Sequence, residues 1–282
     1  MVLREEAFDE ERYLEENPDV LNAVKAGKFD SGLDHFLQFG AREGRPGPPT
    51  FSNPPEFTFP ATLPPAHLRK RVHGTTHIWL FERAGKRVAQ DVLAAVRPHL
   101  ALESRSHVLD FGCGCGRVAA YFRAQVDCDF TGADIDHAAV SWCQENLSGL
   151  GTFVRNEHAP PLPFADGQFS FVYCISVFTH LPEALQNAWL WELRRVTRPG
   201  GLLLISTRGL SAVPHGAWQR LRFRWRGFRY EHDAITEGLP EFYQLAFHNE
   251  AYIRRQWSKT FEIVKFQEKG INMPSQAVIG LE

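Results

Sequence analysis

The densest chemistry in this chain lies in one short run, Val108-Leu109-Asp110-Phe111-Gly112-Cys113-Gly114-Cys115-Gly116-Arg117. Aliphatic and β-branched residues lead into an acid, three glycines follow at alternate positions, and Val118-Ala119-Ala120-Tyr121-Phe122 opens a helical pattern. That order predicts strand, tight turn and helix. Glycine keeps bulky side chains out of the turn, so a ligand can lie against bare backbone. The amides of the turn and of the first helical turn are expected to point at it. A second apolar run, Phe130-Thr131-Gly132-Ala133-Asp134-Ile135-Asp136, puts Asp134 22 residues beyond Gly112. An acid at about 20 residues from such a turn is placed to accept hydrogen bonds from both hydroxyls of a ribose. Helix capping is the structural alternative for Asp134, although Asp136 is the more natural cap for a helix over Ala138 to Asn146.

Further along, Ser176-Val177-Phe178-Thr179-His180-Leu181-Pro182 follows the apolar run that ends near Ile175. It therefore falls at the carboxyl end of a strand, where open α/β sheets present their ligand crevice. An imidazole there has the titration range of a proton acceptor. Packing or capping at the start of the next helix is the alternative for His180. His232, His248 and Tyr243 are the next candidates. The five cysteines, at 113, 115, 128, 143 and 174, include no Cys-x-x-Cys pair, so a zinc site has no signature, and no other ligand cluster points to a metal. Cys113 and Cys115 read as small residues accommodated in the turn.

These groups need elements to hold them. At 282 residues the chain allows one large domain with a small appendage. Ordinary hydrophobic and charged content indicates a globular protein, and a formal charge of −2 gives no global field toward nucleic acid or an anionic membrane. There is no apolar run near eighteen residues, and Arg4, Glu5 and Glu6 follow closely on Met1, so the expected location is the cytoplasm.

Residues 1–45 predict a small helical module. Asp9 is a cap for its first helix, and Asn17-Pro18 opens the second, which Gly27 closes. Ser31 and Asp34 have the spacing of a capping box ahead of Phe36, Phe39 and Gly40. Forty residues rarely fold alone, so the block is expected to lean on a neighbour or a partner. Residues 46–65 form a proline-rich linker with Phe51, Phe57 and Phe59 interleaved, extended and expected to lie along the body. The body spans 66–282. Near its end Arg220, Arg222, Arg224 and Arg226 alternate with Leu221, Phe223 and Trp225, which predicts an extended strand with its cations on one face.

Spacing separates the candidate ligands. A dinucleotide fingerprint wants glycine at its first, third and sixth positions, but here the sixth is Arg117 and the third glycine comes one place early. The form D-x-G-x-G-x-G after a strand resembles motif I of the class I S-adenosylmethionine-dependent methyltransferases. Asp134 matches that family's motif II. Leu162-Pro163-Phe164 leading to Phe169-Ser170-Phe171-Val172 is similar to its approach to strand four, with Ser170 replacing the usual aspartate. Arg195-Val196-Thr197-Arg198-Pro199-Gly200-Gly201 before Leu202-Leu203-Leu204-Ile205-Ser206 resembles its approach to strand five.

The resemblance covers roughly residues 64–282. It implies an α/β fold, a doubly wound and mostly parallel seven-stranded sheet with a carboxyl-terminal antiparallel hairpin. It also implies S-adenosylmethionine as cofactor, held by Asp110, Gly112, Cys113, Gly114, Gly116, Asp134, Ile135, Asn156 and Glu157. His73 to Thr76 and Phe81 to Gly85 become lid candidates. The function it implies is methyl transfer to a small-molecule or glycan-like acceptor, at oxygen, with His180 as the proton sink. A cofactor-binding protein without acceptor chemistry and a nicotinamide oxidoreductase are the alternatives. Residues 7–45 are similar to a module of bacterial surface and glycan-related proteins and imply a protein-docking role.

Overall fold

The computed structural model describes residues 10–26, 28–29, 31–40, 43, 45, 59–74, 78–209, 223–232, 240–268 and 275–281. It forms two compact units, residues 1–58 with 65–83, and residues 59–64 with 84–282.

In the first unit, α1 (Glu10–Glu16), α2 (Pro18–Lys25) and α3 (Gly32–His35) pack together, with a wide π-helical turn at Phe36–Gly40. Pro18 takes the first position of α2 as expected, where its missing N–H costs nothing. Asn17 does not cap α2 with its side chain; it donates to the Tyr13 carbonyl and accepts from Arg45. The amides of Gly32 and Leu33 at the start of α3 go to the Glu10 carboxylate, reaching across from α1. Asp9 and Gly27 lie outside the described residues. The unit continues through α4 (Ala66–His73), ended by Gly74 in the left-handed region, and into the first turns of α5 (Ile78–Val96).

The second unit is built on a sheet of β1 (His107–Phe111), β2 (Asp129–Asp134), β3 (Thr152–Arg155), β4 (Phe169–Cys174), β5 (Thr197–Arg208), β8 (Glu262–Gln267) and β9 (Ser275–Leu281). Their order is β3-β2-β1-β4-β5-β9-β8. The first five are parallel, and β9 and β8 add an antiparallel pair at one edge. The connections carry α6 (Arg117–Arg123), α7 (His137–Asn146) and α8 (Glu183–Val196). After β5 come a helical turn at 223–226, a separate hairpin of β6 (Phe228–Glu231) and β7 (Leu245–His248), and α9 (Glu250–Gln256).

Strand alternation assigns the two faces. Val108, Phe171, Tyr173, Leu202 and Leu204 point into a core with Val88, Val92 and Val96 of α5 and Phe122 of α6. Leu109, Phe111, Val172, Cys174, Leu203 and Ile205 point the other way, against Trp189 and Leu193 of α8 and Ile253 of α9. Burial on both faces is why these strands read as continuous apolar runs. Asp110 shares the face of Val108 and pairs in register with Tyr173, a polar couple inside an otherwise apolar layer. Phe59 packs edge-on against Tyr121, as expected of the linker, while Phe51 and Phe57 lie outside the described residues.

One strand expectation fails. Residues 223–226 are helical, with Phe223 buried and Trp225 exposed, and Arg220 and Arg222 lie outside the described residues. Gly227, at φ 79°, accepts the left-handed backbone that ends this turn.

Candidate active site

The glycine turn joins β1 to α6 at the carboxyl edge of the sheet. Gly112, Gly114 and Gly116 have φ of 87°, 52° and 75°, which other residues rarely adopt. Two of them also meet close packing from within the protein. A Cβ on Gly112 would sit 2.1 Å from Val177 Cγ2, and one on Gly116 2.3 Å from Leu147 Cδ1. The turn is therefore shaped by the protein behind it as well as by any ligand before it.

Its amides are largely turned inward, contrary to expectation. Gly112 and Cys113 N–H donate to the Ala133 carbonyl (2.7 and 3.2 Å), Gly116 N–H to the Cys113 carbonyl (3.1 Å), and Gly114 N–H to Asp134 Oδ2 (2.7 Å). The Asp134 carboxylate thus ties the turn to the end of β2. Its Oδ1 accepts from Asp136 N–H (2.8 Å), so each carboxylate oxygen keeps acceptor capacity for one more donor. Burial pushes its pKa up, and the two amide bonds oppose that shift. Asp136 caps α7 as predicted, accepting from the Ala138 and Ala139 amides.

Asp110 is buried, and burial pushes its pKa up to about 7. Tyr173 and Arg117 pull the other way, while the Asp134 charge adds to the rise. Among the described residues neither Asp110 Oδ2 nor the Tyr173 hydroxyl reaches full hydrogen-bond geometry with a partner, although the two side chains are close enough that each shifts the other's titration. Asn156, past the end of β3, is likewise buried. Its backbone N–H meets the Asp134 carbonyl (3.0 Å) and its Nδ2 donates to the Glu157 carbonyl (2.7 Å), leaving Oδ1 unpaired. Glu157 is exposed and Ile135 is half-buried beside Asp134.

The Cys113 side chain does not face this crevice. Its thiol lies under the turn, close to Gly132 of β2, so only its main chain is available there. Burial holds the thiols of Cys113, Cys115 and Cys143 protonated. Among the described residues no cluster of three or more His, Cys, Asp or Glu could hold a metal ion.

The neighbouring end of the sheet carries His180. Its Nδ1–H donates to the Gln244 carbonyl (2.7 Å), and its ring stacks on Tyr243 with centroids 4.3 Å apart. The bond at Nδ1 fixes the tautomer and leaves Nε2 with its lone pair. Burial and the Arg208 charge push the His180 pKa down to about 4, so the ring is neutral at pH 7. His180 does not cap α8, whose N-cap position is Pro182. Two backbone bonds, Gln244 N–H to the His180 carbonyl (3.0 Å) and Ala246 N–H to the Thr179 carbonyl (2.8 Å), zip this loop to the approach to β7.

His248 is withdrawn from the chemistry. It is fully buried with Nε2 on Gln186 Oε1 (2.8 Å), and burial takes its pKa to about 3. Gln186 spends its amide protons on the Phe178 and Leu181 carbonyls (3.0 and 2.8 Å), tying the His180 loop to β7. His232 is exposed at the end of β6.

Sequence reasoning missed Gln186, Gln244 and Ser176. Gln186 had a readable signal, since it shares the apolar stripe of Trp189, Leu190 and Leu193 on α8, where a polar group must find partners. Ser176 had none. It sits at φ 61°, its N–H on Ser206 Oγ (2.7 Å) and its carbonyl accepting from Tyr243 Oη (3.3 Å). Of the lid candidates, Thr75 and Thr76 lie outside the described residues. Phe81 is buried, and Gly85 is a packing glycine whose Cβ would lie 2.7 Å from the Arg117 carbonyl oxygen.

Residues 108–201 match the family model described as a methyltransferase domain. They contain the glycine turn, Asp134, Asn156 and His180, so the candidate site falls within the matched segment. The chain is 38% identical over 109 residues to a phthiotriol/phenolphthiotriol dimycocerosates methyltransferase of Mycobacterium ulcerans, covering 38% of each chain. It is 30% identical over 129 residues to an O-methyltransferase of Pyrenophora dematioidea, covering 44% of this chain and 46% of that one. The chain thus spans less than half the length of these curated relatives. Its fold is similar to that of a Burkholderia thailandensis 1,6-didemethyltoxoflavin-N1-methyltransferase solved with S-adenosylhomocysteine. The TM-score is 0.52 at 18% identity, over 79% of this chain and 92% of that one.

Proposed function

We propose that this protein transfers the methyl group of S-adenosylmethionine to a hydroxyl oxygen of a small-molecule or glycan-like acceptor. The observation that carries the reading is the set of groups at the ends of three neighbouring strands. These are buried Asp110 with an unpaired oxygen, Asp134 with acceptor capacity beyond its two amides, and Asn156 with an unpaired Oδ1. Two unpaired acceptors and one carboxylate with spare capacity suit a ligand that brings donors to each: an ammonium, an exocyclic amine and a pair of ribose hydroxyls.

In this reading Asp110 faces the ammonium and Asp134 holds the ribose. Asn156 takes the adenine amine with Glu157 beside it, Ile135 borders the base, and the main chain of Gly112, Cys113, Gly114 and Gly116 forms the floor. When bound, S-adenosylmethionine supplies a methyl group already activated on a sulfonium. What remains for the chain is alignment in a dry cleft and a place for the acceptor's proton. His180 offers that place. Its Nε2 lone pair is present at pH 7 to accept the hydroxyl proton as the oxygen–methyl bond forms and the sulfonium–methyl bond breaks, and its low pKa then releases that proton to solvent. The O-methyltransferase among the relatives supports oxygen as the target. Residues 7–45 serve in this proposal as a helical docking module for a protein partner.

Calorimetry tests the assignment. S-adenosylhomocysteine is expected to bind and NADH is not. Binding of NADH alone, or of neither, overturns it. A cofactor-binding protein without acceptor chemistry would bind S-adenosylhomocysteine yet show no transfer of methyl label to any hydroxyl acceptor. For the role of His180, His180→Ala is expected to lower turnover at least tenfold with S-adenosylhomocysteine affinity nearly unchanged. Unchanged turnover removes His180 from the reaction.

A further inference from the structure

The helical turn at 223–226 holds a tryptophan out in solvent. Trp225 is 86% exposed, against 55% for Trp191, the next most exposed large hydrophobic residue, and Trp191 has the Arg194 guanidinium over its ring. Among the described residues Trp225 makes no ring or hydrogen-bonding contact. Leaving an indole in water forgoes the burial energy of one of the largest apolar side chains, so its position calls for a reason.

The turn is not loose. Phe223, one step before Arg224, is 2% exposed and packs with Phe247 of β7. Gly227 N–H closes the turn on the Phe223 carbonyl (2.7 Å), and Asn249 N–H meets the Gly227 carbonyl (2.8 Å). Asn249 Nδ2 donates to the Arg224 carbonyl (3.1 Å) while its Oδ1 caps α9 through Tyr252 N–H (2.8 Å). A Cβ on Gly227 would lie 2.6 Å from both Asn249 Oδ1 and Tyr252 Cβ, so the turn, the hairpin and α9 fit without slack. Trp225 is held out by structure.

Cations surround it. Arg224 and Arg226 are exposed, and among the described residues neither has a carboxylate partner. Arg255 of α9 reaches the Arg226 carbonyl (3.4 Å), which brings a third guanidinium beside the turn. Two described acids of the adjoining elements are engaged with other arginines: Glu250 pairs with Arg254, and Glu231 with Arg229. The chain as a whole carries −2, so this is a local positive patch with an indole at its centre.

We infer that the Arg224-Trp225-Arg226 turn, with Arg255, is a docking point for the surface of an anionic lipid bilayer. An indole sits well at the headgroup level, apolar face toward the acyl chains and N–H toward water. Flanking arginines meet lipid phosphates and extend their apolar stems along the same boundary. A nucleic-acid platform would instead align successive aromatics along a basic groove, whereas here the preceding aromatic, Phe223, is buried. No described helix is long and apolar enough to cross a membrane, so the contact is peripheral and reversible. The inference stands whether or not the chain transfers methyl groups.

Vesicle flotation of the full chain tests it. Wild-type protein is expected to float with vesicles containing phosphatidylglycerol and not with phosphatidylcholine alone, and to be released as salt rises. Trp225→Ala, and separately Arg224→Glu with Arg226→Glu, are each expected to weaken binding roughly tenfold or more. Both should keep wild-type affinity for S-adenosylhomocysteine, or wild-type circular dichroism if that ligand does not bind. No flotation of the wild type, or equal flotation of the variants, overturns the inference. So does retardation of a single-stranded oligonucleotide that depends on Trp225 in a protein that ignores vesicles.

Discussion

The carboxyl edge of the sheet is settled differently at its two ends. Past β1 and β3, buried acceptors remain unpaired at Asp110 Oδ2 and Asn156 Oδ1, with Asp134 between them only half used. Past β4 and β5, most polar groups are matched within the chain. Ser176 is held by Ser206, His180 by Gln244, and Gln186 by three partners, with Thr179 Oγ1 and His248 Nδ1 the buried exceptions. An unpaired buried acceptor costs free energy until something brings it a donor, whereas a paired one only fixes shape. In the function proposed here a ligand completes the first end, while the second holds a loop still.

The largest effect that could break this contrast is expected at Asp134. Asp134→Ala removes the acceptors proposed for the ribose hydroxyls and also frees the Gly114 and Asp136 amides. Affinity for S-adenosylhomocysteine, measured by calorimetry, should fall at least about a hundredfold, since charge-assisted hydrogen bonds contribute roughly 1.5–3 kcal/mol each. Asp134→Asn keeps one acceptor oxygen and should lose less. If both variants bind as the wild type does, Asp134 only ties the turn and the first end is as self-contained as the second.

How far this edge could be read beforehand follows from distance along the chain. The β1–turn–α6 unit and Asp134 are legible because they are contiguous or fall at a spacing set by one crossover helix. The hold on His180 is not, because Gln244 lies 64 residues away in a segment with no periodic pattern. The 223–226 turn was misread for a related reason. Arginine alternating with large apolar residues mimics a strand, while the turn is closed by Gly227 and by Asn249, the latter some two dozen residues beyond. The inward-facing amides of the glycine turn were also invisible, since their acceptors, the Ala133 carbonyl and Asp134, come from another strand.

The two ends should also oppose each other in pH dependence, with a smaller effect. His180 and His248 have pKa values pushed down to about 4 and about 3, so the unfolded chain binds their protons first. Their contribution is fully present above the unfolded value near 6.5 and is lost as pH falls below it. Asp110, pushed up to about 7, has the opposite sign. Its folded form keeps the proton, so its contribution is present below pH 4 and is lost as pH rises through 7. Asp110→Asn should therefore be more stable than the wild type above pH 7, by up to about 4 kcal/mol. It should also lose stability more steeply between pH 6.5 and 4, as urea titrations would record. Parallel curves for the two proteins would mean that Asp110 is not held in its neutral form.

The smallest effect is expected at Ser176, where the second end does carry strain. A serine at φ 61° costs on the order of 1 kcal/mol, and it is kept there by Ser206 Oγ on its amide and Tyr243 on its carbonyl. Ser176→Gly relieves the strain and keeps both backbone contacts, but it loosens the unfolded chain by roughly 0.5–1 kcal/mol. The two nearly cancel, so the melting temperature should move by no more than about 2 °C. Turnover is the more telling measurement. If the loop is fixed by its hydrogen bonds, the glycine variant keeps nearly the wild-type rate, and Ser206→Ala, which removes the bond to the amide, slows it. If instead the serine side chain touches the acceptor, the order reverses, and this end of the edge would also be one that a ligand completes.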